Sequence, residues 1–345
     1  MSNSLDQAAL APWLEAHVPG FRGLLRLEKF GDGQSNPTYR VDAESGSYVL
    51  RAKPPGELLK SAHAVDREYR VMAALGGTDV PVPKMFALSP EADASPVGRM
   101  FFVMEYLDGR IFWDPALNDL GQDNQARFEI YDAMNQTLAK LHSVDVSAVG
   151  LGDFGKPGSY FARQTDRWAK QYRASEVEHN PTVHAVIDWL EQHMPADDGR
   201  VSIVHGDYRM DNMIFAHDRQ DVIAVLDWEL STLGHPLADL AYQCMQWRLP
   251  YQSGMRGLGG IDRGALGIPT EEQYVASYCR RRGIESIPDW PFYIAFCFFK
   301  LTGILQGVYK RALDGNASNP KRAKEMAHAI PLLAEAAMAE IKRSS

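Results

Sequence analysis

Short runs of alternating apolar and polar residues fill the first hundred positions of the chain. "LLRLEKF" (24–30), "TYRVDAE" (38–44) and "SYVLRAK" (47–53) are rich in β-formers and are broken by glycine turns at "GDGQSNP" and "SGS", the pattern of strands joined by tight connections. One helix is expected to interrupt them. In "SAHAVDREYRVMAAL" (61–75), Ala64, Val65, Tyr69, Met72 and Leu75 fall near a helical period, and Gly76-Gly77 ends the segment. "MFFVMEYLDG" (100–109) is nearly unbroken in its apolar character and reads as a buried strand running into a glycine-containing turn.

Beyond Gly109 the period changes. "QARFEIYDAMNQTLAKLHSV" (125–144) places Phe128, Tyr131, Met134, Leu138 and Leu141 on one helical stripe. "PTVHAVIDWLEQHM" (181–194) opens with Pro181 after Asn180, a usual cap arrangement. "LADLAYQCMQWRL" (237–249) and the segments after Glu271 also read as helices, with two short β-like runs, "NMIFA" and "VIAVLDW", between. The most apolar stretch, "FYIAFCFFKLTGILQGVY" (292–309), is interrupted by Lys300 and Gln306. It reads as a buried helix and not as a membrane span, which needs roughly 18 or more apolar residues with few charges. The organisation expected is α+β: a small sheet lobe over 1–107 and a larger helical lobe over 108–345.

Composition narrows the classes. Apolar residues make up 45% and charged residues 23% of the 345 positions, ordinary for a folded chain of this length. With 36 basic and 44 acidic residues the formal charge is −8, which repels phosphate backbones and argues against nucleic acid as a partner. Cys244, Cys279 and Cys297 form no CxxC pair, which favours reduced thiols. The first residues lack a basic start followed by an apolar core, so no signal peptide is expected and a cytoplasmic location is. These patterns assign no oligomeric state.

The chemistry concentrates in "VHGDYRMDNMIF" (204–215), where His205, Asp207, Asp211 and Asn212 sit between apolar flanks, and in Asp227 at the end of "VIAVLDW". Magnesium takes hard oxygen ligands and few carboxylates, with phosphate and water completing its shell. The amide of Asn212 and the carboxylate of Asp227 meet that need. Asp207 is then left to accept a proton from a hydroxyl nucleophile. The order Asp, Asn five positions on, then Asp beyond a short hairpin is that of kinase catalytic and metal loops.

At these residues the chain resembles the aminoglycoside phosphotransferase family, the small-molecule branch of the protein-kinase-like fold. "HGDYRMDN" matches the family's HGDxxxxN loop, and "LDWELSTLGHPLADLA" resembles its metal aspartate followed by Asp239, the brace of the catalytic loop. The resemblance implies a bilobal kinase-like fold binding ATP and Mg2+, with a small molecule's hydroxyl as phosphate acceptor. It further implies that Gly33, Ser35 and Asn36 cover the phosphates. Arg51 or Lys53 would hold them, with Glu68 as the partner of that cation. Met104 would line the adenine pocket, and backbone groups of Glu105 and Leu107 would hold the adenine edge. Arg209, two residues past the base, would donate to the transferring phosphoryl group, and His205 would support the loop. "LRAKPPGELLKSAHAVDREYRVMAAL" (50–75) resembles the branch whose relatives occur fused to acyl-CoA dehydrogenase domains, pointing to a hydroxyacyl metabolite or its CoA thioester. Trp247, Tyr251, Tyr274, Phe292 and Phe296 either line a pocket for it or form core.

Other readings compete. Asp207 and Asn212 also suit an Asx-type turn, Asp227 a helix cap at Trp228, and Arg51 and Lys53 charges on an edge strand. Glu68 also suits a solvated charge, and Arg209 a partner of Asp211. In other function classes, an aminoglycoside resistance-type kinase would use the same residues, and a non-catalytic nucleotide-binding pseudokinase would dispense with turnover. A metal-dependent hydrolase would gather His205, Asp207, His217, Asp227 and His235.

Overall fold

In chain order, the computed structural model begins with helix α1 (Gln7–His17) and strands β1 (Leu24–Lys29), β2 (Thr38–Ala43) and β3 (Gly46–Ala52). Next come α2 (Val65–Leu75), β4 (Met85–Leu88), β5 (Phe101–Glu105), α3 (Asn124–Ser143), α4 (Tyr160–Ser175) and α5 (Pro181–Gln192). Strands β6 (Ser202–Val204), β7 (Met213–Phe215), β8 (Val222–Val225) and β9 (Thr232–Gly234) follow. Helices α6 (Leu237–Cys244), α7 (Glu271–Arg282), α8 (Trp290–Leu313), α9 (Pro320–Ala327) and α10 (Ala329–Arg343) complete the chain. The structure describes residues 5–31, 36–55, 64–253, 255–316 and 319–343.

These elements sort into two units. The first comprises Met1–Arg110, Val149–Leu151 and Met213–Ser231, and the second the remaining segments. In the first, five antiparallel strands run in the order β1-β2-β3-β5-β4. Alternation along β2 and β3 turns Tyr39, Val41, Tyr48 and Leu50 to one face, where they join Leu10 and Leu14 of α1 in a core. Asp6 caps α1 by accepting from the backbone of Ala8 and Ala9. The opposite pleat carries Arg51 and Phe102 towards α2, where Tyr69 meets the Phe102 ring. The sequence anticipated one helix in this region; α1 is a second. The α2 segment begins at Val65, and positions 61–63 of the expected helix lie outside the described residues.

The sequence boundary near Leu107-Asp108-Gly109 also needs amendment. Met213–Ser231, placed by sequence in the helical lobe, folds with the first unit. The cause is backbone pairing: Arg110 and Phe215 exchange two N–H···O bonds of 2.8 Å, and the Val225 N–H donates to Pro81. A Cβ at Gly109 would lie 2.4 Å from Ile214 Cγ2 and 2.5 Å from the Phe215 carbonyl oxygen, so only glycine permits this approach.

In the second unit α8 packs against α4, α6 and α10, and α3 against α7 and β6. By length and composition α8 could cross a membrane, yet 78% of its most apolar window is buried inside the protein. Phe161 of α4 contacts the rings of Phe292, Tyr293 and Phe296. Trp247, Tyr274, Phe292 and Phe296 are buried and Tyr251 is half-buried. Phe128, expected on the buried stripe of α3, is exposed.

Candidate active site

The charged residues of interest form two groups, one in each unit. In the first, Arg51 projects from β3 opposite the α1-facing core. Its Nε lies 2.9 Å from Glu68 Oε2 on α2, and its Nη2 lies 2.6 Å from Asp227 Oδ1 and 3.7 Å from Glu229 Oε2. Asn36 Nδ2 donates to the other Glu68 oxygen at 2.6 Å. Glu68 is thus a buried partner of Arg51 and not a solvated surface charge. Burial pushes its carboxyl up to about 7, with Asp227 and Glu229 adding to the rise while Arg51 and Asn36 oppose it. Burial works against the Arg51 charge, but the three carboxylates outweigh it and hold the guanidinium above its ordinary value. One cation facing three carboxylates leaves this cluster rich in negative charge.

Lys53 takes a different course: its Nζ lies 3.8 Å from the exposed Glu91. Of the two candidates left open by the sequence, Arg51 is therefore the one paired with Glu68. Asn36, expected over the phosphates, gives its amide to Glu68; Gly33 and Ser35 lie outside the described residues. Asp227 adopts φ of 63°, and its side chain makes no capping hydrogen bond to the short 3-10 turn Trp228–Leu230, so the capping role is not taken up. Met104 is buried on β5 opposite Val49. The Glu105 N–H is committed to the Lys84 carbonyl, which leaves Glu105 its carbonyl to offer a ligand.

In the second unit the loop after β6 is anchored from α6. Asp239, fully buried, accepts the N–H groups of His205 at 2.6 Å and Gly206 at 2.8 Å. Burial pushes Asp239 up, but His142, His205 and the Gly206 N–H reverse this and hold it below the usual carboxylate range. His205 is buried, and its Nδ1 accepts the Asp207 N–H at 3.2 Å, a supporting position. Gly206 has φ of 87°, open to glycine at little cost.

This frame presents Asp207. Its Oδ1 accepts the Tyr242 hydroxyl at 2.7 Å, and its Oδ2 accepts Asn212 Nδ2 at 3.0 Å. Arg209 Nε lies 3.3 Å from Oδ1. Against desolvation, Arg209, Tyr242, His205 and Asn212 keep the carboxyl below its ordinary value. Asn212 Nδ2 also donates to the Asp207 carbonyl at 2.9 Å, so the amide oxygen is directed away from Asp207. Arg209 touches Asp211 as well, at 3.1 Å, so the reading of this arginine as a partner of Asp211 holds. Arg256 pairs with the same Asp211 and lies 4.7 Å over the exposed Trp113 ring.

Two residues of this loop's support escaped the sequence reading. Tyr242 stands three positions after Asp239 on α6, on the same helix face. Lys300 donates to the Gly206 carbonyl at 2.8 Å from within α8. The signal for Lys300 was present as a lone lysine in an apolar helix, which needs a polar partner once buried. Two members of the hydrolase set have other partners: His217 pairs with Asp108 and His235 with Asp198.

Comparison with known proteins matches residues 26–291 to the model of the phosphotransferase enzyme family. The chain belongs to that family. A candidate aminoglycoside phosphotransferase from Ralstonia eutropha, known from its crystal structure, is 47% identical over 99% of both chains with a TM-score of 0.88. The aminoglycoside phosphotransferase APH(4)-Ia, in ternary complex with AMP-PNP and hygromycin B, shares the fold at 15% identity and a TM-score of 0.61, covering 97% of this chain and 98% of its own. Mouse acyl-CoA dehydrogenase family member 10 is 47% identical over 89% of this chain, which spans 29% of that relative's length. The chain accordingly has the kinase-like fold of this family and is a small-molecule phosphotransferase.

Proposed function

We propose that the chain transfers the γ-phosphoryl group of ATP to a hydroxyl of a hydroxylated acyl metabolite, free or as its CoA thioester. The observation that carries this reading is the carboxylate of Asp207, fixed by Tyr242 and Asn212 in a loop that Asp239 braces. Asp207 orients the acceptor hydroxyl and takes its proton on the carboxylate. Its lowered pKa makes it a weak base, which suits a transfer that relies on positioning and charge neutralisation. Arg209 donates to the phosphoryl oxygens as they pass. Arg51, held by Glu68, fixes the phosphates behind them, and the Glu105 carbonyl and Leu107 backbone hold the adenine edge.

The donors suit magnesium. Asp227 belongs to the cluster with excess negative charge, and the Asn212 amide oxygen accepts no hydrogen bond among the described residues. These two residues would hold the ion, which when bound neutralises charge on the phosphates. The nucleotide in APH(4)-Ia supports ATP as donor.

The acyl acceptor rests on two supports: the likeness to mouse acyl-CoA dehydrogenase family member 10, and the Arg209 and Arg256 guanidinium groups near the base, which suit an anionic acceptor better than a polycationic antibiotic. A cytoplasmic setting accords with three free, buried cysteines. An ADP-release screen across hydroxyacyl-CoAs, aminoglycosides, choline-like alcohols and sugars tests the proposal. Turnover is expected with hydroxyacyl compounds, with loss in Asp207→Ala while nucleotide binding persists. Turnover confined to aminoglycosides would overturn the acceptor. Nucleotide binding without turnover on any acceptor would leave a pseudokinase.

A further inference from the structure

Between α4 and α5, apart from the residues given a role in phosphoryl transfer, one carboxylate and two imidazoles converge. Glu176 follows the last residue of α4, and His184 lies on α5. His184 Nε2 is 2.9 Å from Glu176 Oε1 and 3.1 Å from Oε2, and His179 Nδ1 is 3.6 Å from Oε1. The two imidazole rings lie 4.7 Å apart at an angle of 32°. All three ligand atoms fall within 4.8 Å of one another, and among the described residues no other three His, Cys, Asp or Glu side chains gather so closely.

We propose that Glu176, His179 and His184 form a binding site for a divalent transition metal, zinc being the best fit. Zinc bonds of about 2.0–2.2 Å in a tetrahedron set ligand atoms about 3.4 Å apart, and the 2.9 and 3.6 Å separations bracket that value. Two imidazoles and one carboxylate are a common open zinc set, with water able to complete the shell. Imidazole donors favour zinc, copper or nickel over magnesium or calcium, which separates this site from one built for nucleotide phosphates.

The surroundings hold the ligands in place. Asn180 caps α5 by accepting from Thr182 and Val183, and Pro181 fixes the first helical residue. The Asn180 N–H donates to Glu176 Oε1 at 3.1 Å, and the buried Tyr172, one turn earlier on α4, meets the His184 ring edge-on with centroids 6.0 Å apart. Such outer partners orient metal ligands. Glu176 and His184 are 17% and 28% exposed while His179 is 71% exposed, so two arms are seated and the third can close over an ion. The occupied site would fasten the end of α4 to the first turns of α5.

The test uses the full chain, freed of metal by a chelator and titrated with Zn2+ against a chromophoric competitor. One equivalent should bind and raise the thermal unfolding midpoint. His184→Ala and Glu176→Gln should each lose roughly tenfold or more of the affinity. His179→Ala, at an exposed position that leaves folding intact, should also weaken binding and abolish the thermal shift. Anomalous diffraction at the zinc edge should place the ion between these side chains. No uptake by the wild-type chain would overturn the proposal, as would zinc affinity unchanged in His179→Ala and in the other variants. In either case the His184–Glu176 contact is a hydrogen bond alone. Neither readout depends on phosphoryl transfer.

Discussion

The charged clusters of the two units solve opposite problems. Around Arg51 a single guanidinium meets Glu68, Asp227 and Glu229, so the cluster is short of positive charge. Around Asp207 a single carboxylate meets a phenol, an amide and a guanidinium, so its anionic form is fully supported. The first arrangement is suited to receive a cation from outside. The second is suited to hold an anion still. Burial alone therefore does not decide how a carboxylate behaves; the number and kind of donors around it do.

The contrast can be broken in several ways. Removing the supported anion should have the largest effect: Asp207→Ala should lower turnover on the order of 10³-fold, read as ADP release on the acceptor found by screening. Next, Asp227→Asn should cut turnover roughly 10²-fold and raise the magnesium concentration needed for half-maximal rate. A variant with an unchanged magnesium requirement would end the assignment of Asp227 as a ligand.

The two buried carboxylates should then respond oppositely to pH. Glu68, raised from 4.5 to about 7, binds more protons when folded than when unfolded across that window. Its contribution to stability is fully present below 4.5 and is lost as pH climbs through 7. Asp239, held below its ordinary 3.8, stabilises above that value and ceases to as pH falls below it. Denaturant midpoints measured against pH should flatten between pH 4.5 and about 7 in Glu68→Gln and below pH 3.8 in Asp239→Asn. Profiles parallel to wild type would remove the contrast.

Smaller effects sharpen it. Tyr242→Phe takes one hydrogen bond from Asp207, and kcat should fall about tenfold with KM little changed. Lys53→Ala should alter turnover by less than about twofold, because its contact is with an exposed carboxylate.

Much of this was legible in the order of residues. The His205–Asn212 loop, Asp227 and Asp239 stand out because chemistry demands those side chains at fixed spacing along one stretch. The strands β2 and β3 announce themselves by alternation. The helix α4 did not, because arginine, glutamine and lysine separate its buried Tyr160, Phe161, Trp168 and Tyr172; β4 is only four residues long. The part played by Tyr242 depends on a partner 35 positions away in sequence, and that of Lys300 on one 94 positions away. No local pattern encodes such pairings. The same holds for the hairpin of β7 and β8, whose place beside Arg110 and Pro81 is set by backbone bonds that carry no side-chain signature.

Position 109 limits how this chain can vary. Where Ile214 and the Phe215 carbonyl oxygen press within 2.5 Å of the space a methyl group would fill, hydrogen is the one substituent that fits. Drift is closed there, and so is any change of length that would move residues 107–110 against 213–215. Insertions in this neighbourhood have to be absorbed farther out, in the mostly exposed turn at 217–221, at the expense of the bonds Arg110 makes to the Arg219 carbonyl and to Gln220.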